Sequence, residues 1–245
     1  MNYRFDAAGE SRTSKEWTAI EGMGEQFDKS SFSTIERLVN FPLYVPRQNL
    51  TTFLVRYEIF KRILNVHGSI LECGVGFGGG LMAWAHFSSI MEPTNHVRRI
   101  IGFDTFAGFP AVSEHDTAAV GQMKVDSQAE IEACARLYDQ NRSVGHLPKI
   151  ELVKGDACET MPAYLERNPH LVVSLLYLDF DLYPATLAAL RTWRARMPKG
   201  AIIAFDEVNM KEWPGETVAM FEVLNMQEVK LERCAFGSTI SWAVL

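Results

Sequence analysis

Two pairs of acids late in the chain, Asp179 with Asp181 in YLDFDLYP and Asp206 with Glu207 in AFDEVN, have the type and spacing to hold a cation. Each pair closes an apolar run, residues 172–179 and 201–206, that reads as a buried strand. If those strands are neighbours, all four carboxylates meet in one small region. Carboxylates within about 6 Å of one another repel and keep their protons unless a cation intervenes. Hard oxygen donors with no His or Cys nearby favour Mg2+, or Mn2+ or Ca2+, over zinc. Lys199, Lys211 or Arg191 could neutralise the same acids without a metal.

A second constellation lies earlier, in ILECGVGFGGG at 70–80. Glu72, Gly74, Gly76 and Gly78 fall where a buried strand turns into a helix, and the missing Cβ atoms let backbone approach a ligand there. Free N–H groups at the helix start would face that ligand. The spacing fits two nucleoside cofactors. Gly74, Gly76 and Gly79 satisfy the dinucleotide fingerprint G-x-G-x-x-G, whereas Glu72, Gly74, Gly76 and Gly78 fit the acid-x-G-x-G-x-G pattern of class I S-adenosylmethionine methyltransferases. Asp104, at the next strand end, can accept both hydroxyl hydrogens of an adenosyl ribose, with Thr105 and Phe106 beside it. Asp156 in VKGDA is placed either for the adenine amino group or to cap the helix that follows.

The elements needed to carry these residues are present as an alternation. Strand signals near residues 70, 99–104, 149–154, 172–179 and 201–206 interleave with helix signals at 81–91, 128–141, 157–167 and 184–197. This rhythm predicts an α/β fold, a Rossmann-like doubly wound, mostly parallel seven-stranded sheet. Residues 228–234 and 239–245 read as a C-terminal antiparallel hairpin turning over 235–238, after a helix at 215–225. We divide the chain into an N-terminal extension and helix, 1–68, serving as a lid or packing element, and a methyltransferase-type domain, 69–245. Residues 50–64 have helical spacing, while the first 33 or so are polar and show no sustained period.

The composition narrows the function classes. With 245 residues and 47% apolar content the chain can bury one sizeable core. A net charge of −6 and no run of Lys or Arg disfavour nucleic acid and anionic membranes as partners, leaving a small molecule or a tethered sugar. The four scattered cysteines and the lack of an apolar leader or a membrane-spanning run point to a cytoplasmic protein, with homo-oligomerisation left open.

Taken together, LECGVGFGGG at 71–80, GFDTFAGFP at 102–110, VKGDACETMP at 153–162, YLDFDLYPATLAAL at 177–190, PKGAIIAFDEVN at 198–209 and WPGETVAMFEVL at 213–224 resemble the macrocin O-methyltransferase (TylF) family. The resemblance implies a class I fold, S-adenosyl-L-methionine and Mg2+ as cofactors, and a sugar hydroxyl of a natural product as acceptor. It implies that Asp179 and Asp206 ligate the metal, Asp179 also bordering the methyl donor, and that Asp181 is the general base. Glu207 stands where the family usually has a second aspartate and counts among the metal residues, its longer side chain able to reach the ion, to bind it through water or to turn away. His115 is an alternative base, and Trp213 with Pro214 could wall the acceptor pocket. Two other readings stay in view: an NAD-dependent oxidoreductase, and a noncatalytic cofactor-binding protein of the same fold. A leader of roughly 70 residues and the late acidic pairs have no role in hydride transfer, and an intact base is unnecessary for binding alone.

Overall fold

The structure, a computed structural model, describes residues 12–237 and 239–245. It divides into two compact units, 1–54 and 55–245.

In the first unit, α1 (Ser14–Lys29) and α2 (Thr34–Val39) each open on a capping box, Thr13 with Glu16 and Ser33 with Glu36. The Glu16 carboxylate accepts the Thr13 N–H at 2.9 Å while the Glu16 N–H donates back to the Thr13 hydroxyl at 3.3 Å. A 3-10 turn (Phe41–Leu43) and the start of α3 (Arg47–Ile63) follow. One helix, α1, thus forms within the first 33 or so residues despite the lack of sustained period, and α2 follows just beyond them; in each the cap satisfies the first N–H groups. The part of the extension before residue 12 lies outside the described residues.

The second unit is built on a seven-stranded sheet in the order β3-β2-β1-β4-β5-β7-β6. The strands are β1 (Ser69–Cys73), β2 (Ile100–Asp104), β3 (Ile150–Lys154), β4 (Val173–Leu178), β5 (Ile202–Phe205), β6 (Leu231–Arg233) and β7 (Ser241–Val244). The first five run parallel, and β7 inserts antiparallel between β5 and β6. The crossovers carry α4 (Gly79–Met91), α5 (Gln128–Gln140), α6 (Ala157–Arg167) and α7 (Tyr183–Trp193), with α8 (Pro214–Val223) after β5. The expected sheet and hairpin are thus present, although Ser238 in the hairpin turn lies outside the described residues.

The central strands are apolar on both faces because helices cover both. Leu175, Tyr177, Ile202 and Ala204 enter one core with Phe60 and Trp84. Leu176, Leu178, Ile203 and Phe205 enter the other with Phe103 and Trp193. Strand order reverses between β1 and β4, so the chain leaves these two strands in opposite directions and opens a crevice at their carboxyl ends.

Candidate active site

A cavity of about 280 Å³ occupies that crevice. Gly74, Val75, Gly76 and Phe77 floor it from the β1–α4 loop, with Asp104 and Thr105 after β2, Gly155 and Asp156 after β3, and Asp179, Phe180 and Asp181 after β4. Residues 105–127, the long connection from β2 to α5, add Gly108, Phe109, Pro110, Met123 and Val125.

The glycines divide their work. Gly76 has φ +52°, and a Cβ there would meet nothing within 4 Å, so its bare face is open to a ligand. A Cβ on Gly74 would overlap the Asp179 carbonyl, so Gly74 lets β1 and β4 part closely at the crevice. Gly78 does not line the cavity. Its Cβ would sit 2.7 Å from Ile131, and its role is to seat α5 against the start of α4.

Asp104 shapes the loop as well as facing the cavity. One oxygen accepts the N–H groups of Val75 and Gly76 at 2.8 and 2.9 Å, and the other accepts the Phe106 N–H at 2.7 Å. The two N–H groups occupy both lone pairs of the first oxygen, and the second retains one for a ribose hydroxyl. Ser127, which the sequence reading passed over, donates its hydroxyl to the Gly76 carbonyl at 2.5 Å. Asp156 caps α6 by accepting the Cys158 N–H at 2.9 Å, and it also lines the cavity. Phe106 is buried outside the cavity lining. So is Glu72, only 1% exposed.

Glu72 faces a buried cation instead. A Cβ on Gly80 would overlap Glu72 Oε1 and lie 3.0 Å from Arg56 Nη2, so the two groups converge over that glycine. Burial pushes the Glu72 carboxyl up to about 7, against the pull of Arg56. The Arg56 guanidinium stacks over Tyr177 at 4.7 Å and lies 3.8 Å from Asp179 Oδ2. The Tyr177 hydroxyl in turn donates to Asp206. Arg56 is therefore the positive centre among these acids, a part considered for Lys199, Lys211 or Arg191. Arg191 pairs with Glu222, at 3.4 Å. No local pattern marks Arg56, because it lies on α3 while its partners lie on or just after β1 and β4.

Beyond Arg56, Asp179, Asp181 and Glu207 each offer a carboxylate oxygen within 4.8 Å of the others. Asp206 lies beside this group and carries the Tyr177 hydrogen bond, so the acid that joins Asp179 and Glu207 in the tight cluster is Asp181. Asp181 and Glu207 are buried, while the Asp179 side chain keeps 30% of its surface, turned to the cavity within otherwise deep surroundings. Burial raises all three carboxyls, Asp181 to about 7, and repulsion from Asp206 adds to it. Behind them Glu216, fully buried, accepts the Glu207 N–H at 3.0 Å and is also raised by burial. The run 213–224 holds two acids, Glu216 and Glu222, and nothing local marks the first as the buried one. Glu207 Oε2 is buried with no hydrogen-bond partner. Crowded acids that favour protons, hard oxygen donors and an orphan carboxylate oxygen fit a divalent cation, which would take the place of those protons.

His115 does not line the cavity; its ring packs on Tyr183 at 4.6 Å. Trp213 packs edge-on to Phe109, a wall residue, at 6.2 Å.

The family model for macrocin-O-methyltransferase (TylF) matches residues 57–235. The chain belongs to this family. It is an S-adenosylmethionine-dependent O-methyltransferase. Among solved structures, the TylF-family chain is similar to CalS11, the calicheamicin methyltransferase, with 33% identity, 95% of this chain and 93% of that chain covered, and a TM-score of 0.92. An apo structure of CalS11, described as a TDP-rhamnose 3'-O-methyltransferase of calicheamicin biosynthesis, matches at 32% identity over 95% of each chain, TM-score 0.86. The O-methyltransferase NovP, at 17% identity over 79% of each chain and a TM-score of 0.58, shares the fold. No curated protein sequence matches. The oxidoreductase and noncatalytic readings find no support in these likenesses. No helix among the described residues is long and apolar enough to cross a membrane.

Proposed function

We propose that this chain methylates a hydroxyl of a sugar, a nucleotide sugar or a glycosylated natural product, with Mg2+ held by the acid cluster. The observation that carries this reading is the convergence of Asp179, Asp181 and Glu207 within 4.8 Å, the first two lining the glycine-floored cavity. The acceptor class rests on likeness to CalS11, described as acting on TDP-rhamnose, over 95% of this chain.

S-adenosylmethionine supplies the methyl on a sulfonium, and a bound divalent ion supplies a Lewis acid for two neighbouring hydroxyls. The chain's own residues do the rest. Gly74, Gly76, Asp104, Thr105 and Asp156 hold the nucleoside end, with Gly76 open to it and Asp104 free to accept from ribose. Asp179 and Glu207 hold the metal, with Asp206 at their side. Asp181 accepts the proton of the reacting hydroxyl on a carboxylate oxygen, its folded pKa near 7 suiting proton transfer at neutral pH. Phe109 and Phe180 exclude water from the aligned groups. In this reading residues 69–245 are the catalytic domain and 1–68 an extension. The four unpaired cysteines support a cytoplasmic setting.

The test is methylation of a panel of nucleotide sugars and glycosides bearing vicinal hydroxyls, read by mass, before and after EDTA treatment and Mg2+ readdition. Gain of one methyl that disappears with EDTA and returns with Mg2+ is expected. Undiminished activity after exhaustive chelation would contradict the metal role.

A further inference from the structure

The α7 helix begins directly after Asp181, yet its N-cap residue, Leu182, has no side-chain acceptor to satisfy the first turn. The acceptor comes from far along the chain. Asp116, in the β2–α5 connection, takes the Tyr183 N–H on Oδ1 at 2.8 Å. Its other oxygen takes both the N–H and the hydroxyl of Ser113 at 2.7 Å, which folds the carboxylate back into its own loop. A third segment closes on the same point. Gly215 packs so tightly there that a Cβ would overlap Asp116 Oδ1 and lie 2.5 Å from the Tyr183 nitrogen. Next to Asp116, the Thr117 hydroxyl donates to the Glu212 carbonyl at 2.5 Å.

We propose that Asp116 is a positioning residue for methyl transfer, a clasp that caps α7 from the loop and so fixes both the turn carrying Asp181 and the loop wall of the cavity. The turn needs fixing because Asp181 adopts φ +62°, a left-handed conformation that non-glycine residues leave readily unless their surroundings hold them. The same loop supplies Gly108, Phe109, Pro110, Met123 and Val125 to one wall, and α7 and the turn before it supply Asp181, Leu182 and Ala185 to the other. One carboxylate thus ties the two walls together. A negative charge at a helix N-terminus is favoured by the helix dipole, so the bond holds without burial. The inference rests on the reading of Asp181 as the base, and it adds a residue outside the reacting groups.

The experiment compares Asp116→Ala, Asp116→Asn and Gly215→Ala with wild type in the full chain, alongside Asp181→Ala. It reads kcat, the KM for S-adenosylmethionine, and amide hydrogen exchange across 105–127 and 181–183. Asp116→Ala is expected to lose kcat by about 10- to 100-fold through misplacement of Asp181, with protection lost at the Tyr183 amide. Asp116→Asn keeps an acceptor for that amide and is expected to recover most of the rate. Gly215→Ala forces the carboxylate aside with its charge intact, and reproduces the alanine phenotype if Asp116→Ala fails to fold. Wild-type exchange at Tyr183 together with wild-type kcat in folded Asp116→Ala or Gly215→Ala overturns the clasp, as does a lowered melting temperature with no change in kcat. Full activity of Asp181→Ala overturns the base assignment instead, while the exchange data still judge the clasp.

Discussion

Arg56 and Glu207 divide the acids between them. Arg56, with 12% of its side chain exposed, stands against Asp179 and over Tyr177, so that half of the site carries its own counter-charge. Removing it leaves buried carboxylates without a partner, and the loss of one member of a buried pair is strongly destabilising. Arg56→Met is expected to lower the unfolding free energy by about 3 kcal/mol, measured by urea denaturation; a change within the error of the fit would show that the guanidinium is dispensable there. Glu207 faces the other half, where an oxygen lies buried with no partner. Glu207→Gln keeps the shape and removes a hard anionic donor. It is expected to weaken Mg2+ binding at least about tenfold, followed by calorimetry. Unchanged binding would remove Glu207 from the ligand set.

At the scale of elements, the β1–α4 loop makes two glycines answer to different demands. Gly74→Ala drives a Cβ into the Asp179 carbonyl and is expected to impair folding, whereas Gly76→Ala meets no protein atom and puts a methyl where ligand approaches. Gly76→Ala should fold with a melting temperature a few degrees lower at most, from left-handed strain of about 1 kcal/mol, yet bind S-adenosylhomocysteine more weakly in a thermal-shift titration. Equal effects of the two substitutions on stability would refute this division. How much of the site the sequence carries follows from the same distinction between near and far. The strand, glycine turn and helix at 69–91 are local features, with burial and period written in consecutive residues. The acids at strand ends are legible too, since a parallel sheet brings its carboxyl ends together whatever the connections contain. Arg56, Asp116 and the packing of Gly78 on Ile131 were not legible, because each depends on a residue of another element approaching in space. The Thr13 and Glu16 capping box was legible and outweighs the weak period of α1.

For the whole molecule, the acid cluster makes stability depend on pH. Burial raises Asp181 from 3.8 to about 7 and Glu72 from 4.5 to about 7, so between those values the native state binds more protons than the unfolded chain. Stability of the metal-stripped protein contributed by these groups is present at the acid end and is lost as pH rises toward 7. Chemical denaturation at about pH 5 and about pH 8 should show the Asp181→Asn variant with a shallower loss across that interval than wild type; an identical slope would mean that Asp181 titrates normally. A divalent ion competes with the same protons, so Mg2+ should stabilise the protein more at the alkaline end. In the function proposed, carboxylates that follow β4 and β5 gather round a cation next to the methyl donor. Titration of Mg2+ into the EDTA-stripped full chain with S-adenosylhomocysteine present checks this gathering: saturable binding of one ion per chain, abolished in an Asp179→Ala, Glu207→Ala double variant, is expected. No binding, or binding indifferent to those two carboxylates, would contradict it.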